Sequence, residues 1–357
     1  MRTHVAANNR GIALLITLSV ISVLLAAAFE INRRSRSELA ATAAIRDRLT
    51  LAHTASAGIH IAMAMLVKDR QETNVDSIQE DWADPEKISE LLAEIPVDEG
   101  KLGLVITDEL SRIQVNALVD FPDGLNFNER QHQFLARALT LYTSHDENLE
   151  GIEIQTILNS LKDWIDSKDD DTITGVSGAE SDYYEDLDPP YFCRNGPVPL
   201  IAELSRIQGM TPELFYGVGE KPGLSAFLTE FGQEKNTEGK FTYPGKININ
   251  TAELPVLAAL LPTGSEDLAP SIYDFRQEKT EDTYAHALTS QTWYKDAPGC
   301  GDLTISPELI TISSDLFRIS ATAAFSDTSQ TVTAWVKREK DSKSGKWTCR
   351  VLRWITE

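Results

Sequence analysis

The 357-residue sequence predicts an α+β protein in which one long N-terminal helix leads to an antiparallel sheet, and a large α-helical insertion interrupts that sheet. Three observations carry the expectation. An apolar run from Ile12 to Phe29 holds no charged residue and passes directly into a helical pattern. β-rich segments stand near residues 101–118 and again at 309–355. The stretch between them, Asp120 to Pro307, is dominated by helical segments and loops.

The first element follows from length and periodicity. A helix over Ile12–Phe29 rises roughly 27 Å, enough to cross most of a bilayer core. Beyond it, from Ile31 to Val67, apolar residues recur at helical spacing through Leu39, Ala43, Ile45, Leu49, Ala52, Ala55, Ile59 and Met63, so one helix continues outside the membrane. His53 and His60 share a face of it but lack a third ligand, and are expected to serve packing or the surface. Residues 69–100 are polar and irregular, with a short helix from Pro85 to Ala93.

Strands come next. Lys101 to Thr107 and Arg112 to Leu118 read as a hairpin. Their partners are Leu309 to Phe325, Thr331 to Arg338 and Trp347 to Ile355, split by the turn signals Ser326-Asp327 and Ser342 to Gly345. The expected organisation is a leader at 1–11, a membrane-spanning and spine helix at 12–68, the first part of an α/β unit at 69–119, the helical insertion at 120–307, and closing strands at 308–357.

Composition narrows the function. The chain is 42% hydrophobic, 24% charged and carries a net charge of −21. Nucleic acid and anionic surfaces repel such a chain overall, whereas divalent cations are drawn to its acidic clusters. Cys193, Cys300 and Cys349 are too few for a disulfide framework; an oxidising compartment would allow one bridge and leave one thiol over. Arg2 and Arg10 before the apolar run are nearly balanced by Arg33, Arg34 and Arg36 after it. No nucleophile-elbow sequence occurs, His4, His132, His145 and His286 are isolated, and thiols in acidic surroundings are poor nucleophiles, so the chain is expected not to be an enzyme.

The flanks of the apolar run identify its kind. The small residue lies before it, at Gly11, which resembles the class III signal of type IV pilins. That resemblance implies cleavage after Gly11 by a prepilin peptidase, methylation of Ile12 as the new N-terminus, and a helix retained in the inner membrane with a periplasmic body. Pilins carry a Glu at the fifth mature position; here that position is Ile16. Three further motifs lie in the insertion. The first is Leu161-Lys162-Asp163-Trp164-Ile165-Asp166 with Asp169, Asp170 and Asp171, followed by Gly178-Ala179-Glu180-Ser181-Asp182-Tyr183-Tyr184 and Pro189-Pro190-Tyr191. The second is Leu204 to Leu214, and the third runs from Ile247-Asn248-Ile249-Asn250-Thr251-Ala252 to Pro255-Val256-Leu257. Together with the signal they resemble the K-class minor pseudopilins of type II secretion systems. The resemblance implies a type IV pilin-like fold, a place at the pseudopilus tip in support of pseudopilus initiation and export across the outer membrane, and I-class, J-class and other pseudopilins as partners.

The acidic motif also points to a site on its own chemistry. Crowded carboxylates with turn-forming Gly175 and Gly178 repel one another unless a cation screens them, and calcium takes six to eight oxygens in flexible geometry. Asp166, Asp169, Asp170, Glu180 and Asp182 are the expected ligands of a structural calcium ion, which the resembling proteins bind in this domain. Lys168 stands where many relatives have an acid, so either Asp169 or Asp170 would substitute or one of two ion sites would be weaker. The spacing is not that of an EF-hand.

A rival reading takes the second and third motifs as helix-hairpin-helix elements of a membrane-anchored nucleic-acid-binding protein of a competence or type IV pilus system, with helix N-terminal amides holding phosphate. Charge opposes it, because neither segment has more than a scatter of Lys and Arg among many carboxylates, and no nucleic-acid partner is expected. Two helix pairs that simply pack, with Thr211 or Thr251 as N-caps, is the preferred reading.

Overall fold

The computed structural model describes residues 10–95, 100–144, 146–167 and 172–357. Helix α1 (Arg10–Glu72) is 63 residues long, and no residue of its most apolar window is buried. Of the described helices it alone is long and apolar enough to cross a membrane. Its far end behaves differently. Leu51, Ala55, Ile59, Ala62 and Leu66 recur every three or four residues, so they form one face, and all are buried.

That face packs on a four-stranded antiparallel sheet of β1 (Lys101–Asp108), β2 (Leu316–Phe325), β3 (Thr328–Lys340) and β4 (Trp347–Thr356), in that spatial order. Register is set by alternation: Leu104 and Ile106 of β1, Ile319, Ala321 and Ala323 of β2, and Val332, Ala334 and Val336 of β3 all turn to α1. Asp108 pairs with Phe317, Leu316 with Lys337, and a bulge falls between Trp335 and Val336 against β4. Helix α2 (Pro85–Ala93) has the expected range; Asp84 caps it by accepting from Glu86 N at 2.8 Å, and Pro85 suits its first turn.

The insertion leaves the sheet after β1 and returns before β2. It holds α3 (Glu129–Thr143), α4 (Ile154–Ile165), α5 (Ser181–Glu185), α6 (Pro212–Tyr216), α7 (Leu254–Leu260) and α8 (Ala269–Phe275), joined by 3-10 turns and two-residue strands. The sequence therefore has the α+β, type IV pilin-like fold that it predicts. The insertion's core extends past 120–307 at both ends, from Ile113 to Ile310. Two short parallel pairings tie those ends in: Ile113–Gln114 with Leu228–Thr229, and Ile310–Thr311 with Ile247–Asn248.

The expected hairpin over 101–118 is not formed. Its first arm is β1, but in its second arm only Ile113–Gln114 is a strand, and Val115–Leu118 is a 3-10 turn. Residues 113–119 are buried without interruption, which suits a segment enclosed by the insertion rather than a strand with one wet face. Cys193, Cys300 and Cys349 are all free and buried, so the one bridge that an oxidising compartment would allow is not formed. Charge is unevenly divided: residues 120–307 hold 13 Lys and Arg against 32 Asp and Glu, a net −19 of the chain's −21.

Candidate functional site

The acidic motif is organised by the end of α4. Its last turn buries Lys162, Asp163, Trp164 and Ile165, and Asp166 ends the helix in an extended conformation. Thr174 lies back over Asp163. Both carboxylate oxygens of Asp163 accept from Thr174 N at 3.0 Å, and Gly178 N donates to Thr174 O at 3.0 Å. Gly178 is required by the closeness of that turn, because a Cβ there would stand 2.1 Å from Asp163 Oδ2. Lys162 Nζ donates to Asp166 Oδ2 at 2.8 Å and to Thr174 Oγ1 at 3.0 Å.

An aromatic wall backs the loop. Trp164 meets Tyr184 edge-on with centroids 5.1 Å apart, and Tyr184 stacks on Tyr191 at 5.3 Å. Tyr184 is buried while its neighbour Tyr183 is exposed, so one of the two tyrosines pins the loop to the core. Burial, and then the nearby Glu180 charge, push the Cys193 thiol up to about 12. Burial also raises the Asp163 carboxyl, against the hydrogen bonds from Thr174. A thiol held in that state is no nucleophile.

Of the five expected ligands, Asp166 and Glu180 are 2% and 3% exposed and lie in this region, and Asp182 is exposed at the start of α5. Asp169 and Asp170 lie outside the described residues. Asp163 of the same motif, which is not among the five, also lies here, with both of its carboxylate oxygens on Thr174 N. The donor set is carboxylate and hydroxyl oxygen, the chemistry that calcium takes, with the Lys162 ammonium already on Asp166.

Among the described residues, one trio of carboxylates has oxygens within 4.8 Å of one another, and it lies elsewhere: Asp69, Asp76 and Glu80. A guanidinium fills the cation's role there. Arg338, 1% exposed, donates to Asp69 Oδ2 at 2.8 Å, to Asp76 Oδ1, and to the carbonyls of Leu66 at 2.9 Å and Ser314 at 2.8 Å. Glu80 Oε2 accepts from Ser77 N and Trp82 Nε1. Burial, followed by the Asp69 charge, lifts the Glu80 carboxyl to about 8. Burial and Asp76 lift Asp69 to about 6.

The third motif completes this junction. Asn248 Nδ2 donates to Asp76 O at 2.9 Å and to Asp108 Oδ2 at 2.7 Å, and Thr251 Oγ1 reaches the same Asp108 oxygen at 2.7 Å. Asn250 Nδ2 donates to Leu288 O, and its Oδ1 accepts from Trp293 Nε1 at 2.6 Å. Asn248 and Asn250 are wholly buried, so the segment joins the insertion to the sheet and spine and is closed to a phosphate backbone. Thr211 caps α6 through Leu214 N as expected, whereas Thr251 caps nothing; the N-cap of α7 is Glu253.

At the other end of the molecule Gly11, Ile12 and Ile16 lie on exposed α1. A Cβ on Gly11 would meet nothing within 4 Å, so packing does not account for a glycine there.

Residues 111–218 match the family model described as Type II secretion system (T2SS), protein K, a span that includes the first and second motifs. Type II secretion system protein K of Aeromonas hydrophila is 27% identical over 208 residues, covering 57% of this chain and 60% of that protein. The chain thus spans about three fifths of the length of that relative. The Klebsiella pneumoniae protein of the same name is 26% identical over 260 residues, 71% of each chain. In fold, the chain is similar to one chain of the crystal structure of the GspK-GspI-GspJ complex from the enterotoxigenic Escherichia coli type 2 secretion system. The TM-score is 0.62 at 17% identity, covering 88% of this chain and 99% of that one.

Proposed function

We propose that this chain, a K-class relative by the match of residues 111–218, is the minor pseudopilin at the tip of a type II secretion pseudopilus, and that it supports pseudopilus initiation and export across the outer membrane without being an enzyme. The observation that carries the reading is the placement of a large folded insertion at the far end of a single long helix whose near end is apolar and exposed. Such a helix suits bundling with other subunits, while the wide head obstructs a subunit above it. Ile16 in place of the pilin Glu acts in the same direction.

Further parts of the reading concern processing and place. Gly11, unconstrained by packing, serves as the cleavage residue for a prepilin peptidase, and Ile12 is the methylated mature N-terminus. The helix then anchors the chain in the inner membrane, with the body in the periplasm and the I-class and J-class minor pseudopilins beside it. Tagged full-length chain purified from membranes of a secreting cell should start at methylated Ile12 by mass spectrometry and bring both partners with it. A chain that starts at Met1, or that leaves both partners behind, overturns the proposal.

A structural calcium ion belongs to the same reading. Asp166, Glu180 and Asp182, with Asp169 and Asp170, would hold it, and Asp163 would fix the loop beneath. A bound divalent cation would supply the positive charge that this carboxylate-rich head lacks.

A further inference from the structure

We infer, on the calcium reading above, that Lys162 is a built-in cation which closes the base of the acidic loop and thereby weakens the loop's hold on a divalent ion. Lysine ammonium groups normally reach for water, and burying one is costly unless it is paired and hydrogen-bonded. Lys162 turns inward instead. Its side chain is 10% exposed, and its Nζ stands 2.8 Å from Asp166 Oδ2, 3.0 Å from Thr174 Oγ1 and 5.7 Å from the centroid of the Phe127 ring.

The two polar partners stand at opposite ends of the loop. Asp166 closes α4, and Thr174 is the residue whose backbone N–H returns to Asp163. One ammonium therefore joins the segment that enters the loop to the segment that leaves it, which is what an ion bound at that base would do. Its place in the last turn of α4 favours a positive charge as well, because the free carbonyls of the helix end lie there. For a divalent ion the consequence is competition. Asp166 is an expected ligand, and one of its oxygens already accepts from Lys162. Calcium on the same carboxylate would share it with a fixed positive charge, and two cations on one buried carboxylate repel each other more than they would in water.

The test is calorimetric titration of calcium into the full chain in nonionic detergent, as the parent, as Lys162→Met and as Lys162→Gln. The Gln variant keeps a donor for Asp166 and loses the charge, so it reports on the charge even where the Met variant does not fold. A folded Lys162 variant is expected to bind calcium at least tenfold more tightly than the parent, and adding Asp166→Asn should abolish the gain. Lys240→Met removes an exposed charge from the same insertion and should leave the affinity unchanged. A parent that binds no calcium beside a Lys162 variant that does would sustain the inference and remove the calcium reading of the native loop. Lys162 variants that bind no more tightly than the parent, or that like the parent do not bind, overturn the inference. An equal gain in Lys240→Met, or a gain that survives Asp166→Asn, overturns it as well.

Discussion

The insertion buries more than twice as many apolar side chains as the spine-and-sheet unit, and the two handle polarity in opposite ways. In the spine-and-sheet unit, small residues such as Ala55, Ala62, Ala321 and Ala334 let a helix lie close on a sheet, and one buried guanidinium answers the carboxylates around it. Regular backbone pairing does most of the holding. The insertion is built from short helices and loops around Phe134, Trp164, Tyr184, Phe215 and Trp293, and it carries nearly all of the chain's net negative charge. A region with so little regular pairing depends on side-chain to backbone bonds such as those of Asp163 and Asn250, and on whatever screens its carboxylates. The contrast is between a unit built on a regular helix and sheet and one built on short elements tied by side-chain to backbone bonds, with most of the chain's net charge on it.

The largest expected effect removes what the two units share. Arg338→Ala leaves Asp76 buried beside Asp69 without its guanidinium, which typically costs 3–5 kcal/mol, roughly what breaking a buried ion pair costs. Denaturant unfolding of the full chain should show both units losing stability together; loss confined to either one would refute the shared junction.

The next effect should separate them. If calcium binds the acidic loop, a hundredfold excess over its dissociation constant stabilises the head by about 2.7 kcal/mol. Chelator should therefore lower the melting of the insertion and spare the sheet, and Asp166→Ala or Glu180→Ala should remove most of that difference. Unchanged melting in chelator, or magnesium acting as well as calcium, would leave the loop as a solvated acidic segment.

A third effect belongs to the spine unit and is set by pH. The Glu80 carboxyl is raised from the usual 4.5 to about 8 by burial and by Asp69, so the fold holds its proton more tightly than the unfolded chain does. Its contribution is complete below pH 4.5 and is lost as pH rises through 8; Asp69, raised to about 6, acts in the same direction over a lower range. Glu80→Gln keeps the neutral form and should flatten the fall in stability between pH 4.5 and 8. A slope equal to that of the parent would show that Glu80 does not hold this proton.

Much of this was legible in the sequence where pattern and structure share a period. The continuation of α1, α2 and the three C-terminal strands follow from spacing and turn residues, but the buried face of α1 does not: of the residues that carry its expected pattern only Ala55 and Ile59 are buried, and Leu39, Ile45 and Leu49 are exposed. Segment 113–119 was not legible, because uninterrupted burial inside an insertion looks like a strand when only Ile113, Val115 and Ala117 are counted. The junction escaped for a different reason: Asp76, Asp108, Asn248 and Arg338 are far apart in the chain, and a buried polar network has no local signature. At the acidic loop the sequence indicated the region and two of its buried acids, but the role of Asp163 required the fold-back of Thr174 to be seen.

The split sheet also governs the order in which the chain can fold. Strand β1 finds its only partner in β2, so Lys101 waits for Ala324, and closing a free loop of about 200 residues carries a substantial entropic cost. Once folded, the insertion shortens that loop, since the parallel pairing of Ile247–Asn248 with Ile310–Thr311 and the bonds from Asn248 to Asp76 and Asp108 hold the two ends of the sheet close to each other. A head folded early would thus act as the template for the platform beneath it, and the spine helix would gain its sheet only after the C-terminal hairpin has been made.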